Sequence, residues 1–130
     1  MKKATKTELN ALYTAFDIHR RAIVLAAKWT AFDPFGAVVY DLHDLVNAAF
    51  SLREAVNDAK YYWDYTKEPN HPLRPIKEGK DKYETFRKHI KGIKGALLRL
   101  LRNKWIARKV DIKNQFQLVK ENLAVLEGNI

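Results

Sequence analysis

Val38, Leu42, Leu45, Ala49, Leu52, Val56, Ala59 and Trp63 recur at spacings of four, three, four, three without interruption. Only an α-helix gathers such positions on one side, and a seam of this kind is what helical bundles and coiled coils bury. A strand would need alternation of period two, which the segment lacks. Asp41, Asp44, Arg53, Glu54 and Asp58 fall off the stripe and give the helix a wet side. Asp33-Pro34 stands just before it. Asp is a good N-cap, and proline suits the first helical position because its missing N–H would find no partner there. The pattern therefore predicts a helix over 34–66.

The other segments have to complete that core. A helix is expected over 7–31, with Glu8 in its first turn. It carries two apolar stripes on nearly opposite sides. One is Leu9, Leu12, Phe16, Ile23 and Ala26, with His19 among them; the other is Ala11, Ala15, Ile18, Ala22, Leu25, Trp29 and Phe32. Such a helix either sits centrally or meets another subunit with its outer stripe. Residues 67–80 hold Pro69, Pro72, Pro75 and Gly79 and almost nothing apolar, so they read as a long loop. The PxxPxxP spacing would suit an aromatic groove, but a stiff connector between antiparallel helices is the preferred reading. Helix resumes over 81–107, with Tyr83, Phe86, Ile90, Ile93, Leu97 and Leu100 inside. From Leu98 the register slips to Leu98, Leu101, Trp105, Ile112, Phe116, Val119, Leu123 and Leu126. A single helix over 81–127 would run to roughly 70 Å, too long to stay packed on its neighbours. A turn near 107–111 is therefore expected, with Asp111 capping a last helix over 111–127. The sum is an all-α chain, one domain over 1–130, arranged as an antiparallel up-down four-helix bundle with a Pro-rich loop between its second and third helices. Trp105 should then return near Trp29, Phe32 and Phe35.

Charge is distributed very unevenly over this scaffold. Between Arg87 and Lys113 stand ten Lys or Arg and one acid, which together equal the whole net charge of +9; elsewhere bases and acids cancel. Solvated helix faces ordinarily mix signs, so a stretch almost free of acids points to an anionic partner. Nucleic acid is the first expectation. Arg87, Lys88, Lys91, Lys94, Arg99, Arg102, Lys104, Arg108 and Lys109 are the candidate phosphate ligands. Tyr61 and Tyr65, one helical turn apart, are either a stacking platform for bases or part of an aromatic lid with Tyr62 and Trp63. Gly92-Ile93-Lys94-Gly95 has the GxxG form of a nucleic-acid-clamping loop, but that loop needs strands around it. Here the glycines are expected inside a helix, where they let a neighbouring backbone approach or a basic side chain lie flat.

Several classes of function find no support. There is no cysteine, so disulfides and thiolate chemistry are excluded. His19, His43, His71 and His89 form neither HExxH nor His-x3-His, and no pair of Glu-x-x-His segments exists. No arginine precedes a histidine at the spacing of helical ribonucleases, and neither a nucleophile elbow nor a phosphate-cradling glycine loop occurs. The expectation is a non-enzymatic protein without cofactor or metal. Its longest apolar run in the first helix, residues 22–27, is far too short to span a bilayer. The opening MKKATKTELN is followed by no signal-peptide apolar region, so a cytoplasmic protein without membrane insertion is expected.

Tyr40-Asp41-Leu42 with Leu45-Val46, and Leu97-Leu98-Arg99-Leu100-Leu101, resemble the accessory variability proteins of diversity-generating retroelements. The resemblance covers the last three helices and departs at Asn122 to Gly128, where that family has a Gly- and Trp-containing helix. It implies a basic four-helix bundle that forms a homo-oligomer and binds RNA and a reverse transcriptase. The small helical subunits of CRISPR effector complexes are similar in size and basicity. Two functions thus stand side by side: an RNA- or single-stranded-DNA-binding accessory factor or small ribonucleoprotein subunit, and an inhibitor or adaptor that applies its basic face to an acidic protein. Membrane-surface association is a third; it requires Leu97, Leu101 and Trp105 to be free, whereas the register places them in the core.

Overall fold

The computed structural model describes residues 6–33, 36–65 and 84–128; the side chains of 7, 8, 59–65 and 84 are outside that description, as is the Pro-rich segment. The described residues form helices α1 (Lys6–Phe32), α2 (Val39–Tyr65), α3 (Glu84–Leu100), α4 (Lys104–Ala107) and α5 (Val110–Gly128), and no strand. The fold is all-α. No helix among the described residues is long and apolar enough to cross a membrane.

Helices α1 and α2 form the central pair: α1 packs against α2 and α5, and α2 against α1 and α3. The second of the α1 stripes is the buried one: Ala15, Ile18, Ala22, Leu25 and Trp29 are wholly inaccessible. The first stripe stays half-wet, with Phe16 40% and Ile23 46% exposed. Arg53 of α2 lies over the Phe16 and Phe50 rings at 4.8 and 5.3 Å, and its Nη1 is 3.3 Å from His19 Nδ1. A guanidinium thus covers apolar rings that would otherwise face water. The α2 seam is buried as its spacing requires, from Leu42 through Leu45, Ala49 and Leu52 to Val56.

Chain directions follow from paired contacts. Asp17 accepts from Asn122 and Trp29 packs on Phe116, so α1 and α5 run oppositely. Arg99 meets Asp41 and Asp44 while Gly92 faces Ala48, so α2 and α3 do too. The GxxG segment is ordinary helix. A Cβ at Gly92 would lie 3.4 Å from that of Ala48, and one at Gly95 would lie 3.4 Å from Arg99 Nη1. Both are ordinary contacts, so the neighbouring helix and the Arg99 guanidinium pack over the glycines without requiring them.

Two boundaries differ from the sequence expectation. Helix α2 starts at Val39, not at Pro34. Asp33 instead accepts from the Val38 N–H at 3.3 Å, and Gly36 adopts φ 62°, a left-handed value suited to glycine. Asp33 is buried because its carboxylate caps a turn, and the helix begins only after it. The helix expected over 81–107 ends at Leu100, and the single turn expected at 107–111 is two breaks flanking α4. Asn103 explains the first. It leaves helical geometry (φ −86°, ψ 79°) and its Oδ1 accepts from the Ile106 N–H at 3.4 Å. Asparagine is a strong N-cap that competes with the backbone inside a helix. Buried Ile106 then pins the single turn of α4 to the core.

The slipped register is therefore half right. Ile112, Phe116, Val119, Leu123 and Leu126 are buried. Leu98, Leu101 and Trp105 are instead 68%, 39% and 68% exposed: Leu98 lies off the α3 face that buries Ile93, Leu97 and Leu100, and Leu101 and Trp105 come after that helix has ended at Leu100.

Candidate nucleic-acid interface

The basic stretch divides into cations that build the scaffold and cations that face solvent. Arg99 belongs to the first kind. Its Nε meets Asp41 at 2.9 Å and its Nη2 meets Asp44 at 3.2 Å. One guanidinium thus ties two acids, one turn apart on α2, to the end of α3. Lys94 Nζ contacts Glu127 at 2.5 Å, linking α3 to the end of α5. Lys109 is half-buried, its ammonium 4.7 Å from the Phe32 ring centre and 4.6 Å from that of Trp105.

Lys88, Lys91, Arg102, Lys104 and Arg108 are exposed, and their side chains have no carboxylate partner among the described residues. Arg87 is exposed as well and makes contacts of its own. Three of the five flank the short α4 at the corner between α3 and α5. In sequence Arg102 and Arg108 lie three residues before and after Trp105, Arg102 in the turn ahead of Asn103 and Arg108 as the C-cap of α4, and Lys104 directly precedes the indole. Across the corner, Arg108 lines a surface pocket of about 310 Å³ together with Lys113 and Lys120 of α5, over Leu101 and Phe116. Three positive side chains from two elements thereby converge on one concavity.

Trp105 is the feature that sequence reasoning missed. Its apolar character placed it in the core, whereas it stands on the surface within the cationic corner. The signal that could have found it is Asn103, whose capping preference ends the helix before Trp105 can turn inward. Lys113 and Lys120 were missed for a related reason, since they lie on α5 and join the corner only through the chain reversal. The side chains of Tyr61 and Tyr65 are outside the described residues.

Apart from these cations, titratable groups are sparse. His89 of α3 has its pKa lowered, first by burial and then by Lys88. Nowhere among the described residues do three or more His, Cys, Asp or Glu come close enough to hold a metal ion. What the corner can do chemically is neutralise phosphates and offer one indole face. No family model matches this chain, and comparisons with curated proteins and with solved structures return no match.

Proposed function

We propose that this chain is a non-catalytic four-helix-bundle protein that holds RNA or single-stranded DNA by its phosphate backbone. In this reading it serves as an accessory factor or small subunit of a ribonucleoprotein or nucleic-acid-processing assembly. The observation that carries it is Trp105, 68% exposed, in a short helix where Lys104, Arg102 and Arg108, all exposed, stand within three residues of it in sequence. Cations without acidic partners supply affinity through counterion release, and an exposed indole adds stacking that tolerates any base. A duplex offers no open base faces, so the indole favours single strands. Lys88 and Lys91 extend the track along α3.

The up-down arrangement is part of the same proposal, with 67–80 as the connector from α2 to α3; the opposed directions of α1 and α5, and of α2 and α3, support it. So does the resemblance to accessory variability proteins. Asp41 and Arg99, one from each resembling segment, meet in an ion pair. Self-association through Phe16, Ile23 and Phe50, exposed on the α1–α2 side, accompanies the reading. Sedimentation of Phe16→Glu against the parent protein tests that part.

The test of binding is fluorescence anisotropy with labelled single-stranded RNA and DNA. Stacking on one indole is worth about 1–3 kcal/mol, so Trp105→Ala should weaken binding by roughly 5- to 150-fold. Absence of binding at low salt, or undiminished binding by Trp105→Ala, overturns the proposal.

A further inference from the structure

A groove lies between α3 and α5. It has a volume of about 510 Å³ and is partly open to solvent. Leu97, Leu98 and Leu101 form one wall, and Leu123 and Ala124 the other. Leu98 at 68% exposure is among the most exposed large apolar side chains of the chain, so its face lacks a cover within the described fold. The groove continues toward the start of α3 as a second pocket of about 220 Å³, bordered by Arg87, Ile90 and Lys91.

The edge of this apolar floor carries one sign of charge. Lys94 and Lys120 border the central part, Arg87 and Lys91 one end, and Arg108 and Lys113 the other. Among the residues lining these pockets the one acid is Glu127, which Lys94 already reaches at 2.5 Å, and Arg87 makes contacts of its own. We propose that the groove is a docking site for an acidic amphipathic helix of a partner protein. Leucine-like side chains would seat between Leu98 and Ala124, and flanking carboxylates would meet Lys91, Lys94 and Lys120.

Three considerations select that occupant. An open trough between two helices does not enclose a small amphiphile, which needs most of its surface buried. It does fit a third helix laid along it by anchors at i, i+3, i+4 and i+7. From Arg87 to Leu101 the α3 wall is roughly 21 Å long, about four turns of a guest helix. Charge decides between partners: a second copy of a chain of net charge +9 would bring cations against cations, whereas an acidic helix complements the rim. The Lys94–Glu127 pair is an internal rehearsal of that contact, so an incoming carboxylate exchanges with Glu127. The site goes beyond nucleic-acid binding: it shares Lys91, Arg108, Lys113 and Lys120 with the cationic surface but not Trp105.

The probe is a synthetic four-turn helix with Leu at the anchor positions and Glu beside them, titrated into the full chain by calorimetry. The same peptide with Lys for Glu serves as the control. The glutamate peptide should bind with a Kd of order 10 μM and the lysine peptide at least tenfold more weakly. Leu98→Glu and Ala124→Glu, on opposite walls and both exposed, should each reduce binding at least tenfold. Glu127→Gln should tighten it severalfold by releasing Lys94, and Trp105→Ala should leave it unchanged. Equal binding of the two peptides, or binding indifferent to both wall variants, overturns the proposal. So does dimerisation of the chain, or flotation with anionic vesicles, that Leu98→Glu abolishes.

Discussion

Arg99→Gln and Arg102→Gln remove the same charge from residues three apart, yet the structure assigns them opposite consequences. Arg99 holds Asp41 and Asp44 at 2.9 and 3.2 Å, with its side chain 40% exposed and those of the acids 28% and 61% exposed. Exposed ion pairs contribute about 0.2–1 kcal/mol each. The half-buried Asp41 pair belongs near the top of that range and the Asp44 pair near the bottom. Two like charges one turn apart, left facing each other, add a further few tenths of about the same order. Arg99→Gln should therefore cost about 1–1.5 kcal/mol, lowering Tm by roughly 3–6 °C for a chain of this size. Arg102 has no such partner, and its replacement should stay within about 0.5 kcal/mol of the parent. Nucleic-acid binding should reverse the order. Arg102→Gln should flatten the dependence of log K on log salt by about 0.7, one single-strand phosphate, and Arg99→Gln should leave the slope unchanged. Thermal denaturation at physiological salt and anisotropy titrations across salt read the two effects separately. If Arg99→Gln leaves Tm unmoved and flattens the slope, the clamp does not form in solution and the division of the basic stretch fails.

Three further outcomes follow from the same packing. Gly92→Ala should raise stability by about 0.5–1 kcal/mol by chemical denaturation, because helix propensity improves and the new methyl meets Ala48 at an ordinary contact of 3.4 Å; a loss would mean that α2 and α3 lie closer than described. Phe116→Ala, which empties the space beside Trp29 at 6.0 Å between ring centres, should cost about 3–4 kcal/mol by the same measurement, and a cost below about 1 kcal/mol would remove Phe116 from the core. His19 and His89 both have pKa values lowered from 6.5, chiefly by burial and secondly by Arg53 and Lys88 respectively. Below 6.5 the unfolded chain therefore binds more protons than the folded one. Their contribution is full above that value and is lost as pH falls through the lower folded values. Tm should decline as pH falls below about 6.5, and His19→Gln with His89→Gln should flatten that decline. Asp17, held below 3.8 first by its hydrogen bond from Arg20, loses its share only at lower pH and does not blur the window. An unchanged slope in the double variant would refute the assignment.

The helices were legible because periodicity reports burial directly. The seam from Leu42 to Val56 and the stripe from Ile112 to Leu126 are buried as their spacing demands. What the pattern could not convey was where a helix stops in the absence of Gly or Pro. Leu101 and Trp105 carry the apolar character of core residues and are left outside by the break that Asn103 caps, while Leu98 lies off the buried face of α3. Asp33-Pro34 failed in the opposite sense, since the cap was real but served a turn ahead of the helix. The basic stretch was visible as a charge excess, but composition cannot say which cations already have partners. Asp41 lies 58 residues from Arg99 in sequence, and the bond between them exists only because α2 and α3 run antiparallel. The α3–α5 groove was hidden for the same reason: both of its walls are unremarkable until the chain reverses at α4.

The most direct measurement is the salt dependence of binding to a single-stranded oligonucleotide, compared between the parent chain and a triple variant with Arg102, Lys104 and Arg108 all changed to Gln. The parent should give a linear decline of log K with log salt, and the variant a decline shallower by about 2, at about 0.7 for each of the three phosphates released. A parent whose affinity ignores salt, or a variant with the parent's slope, would contradict a phosphate-binding corner at α4.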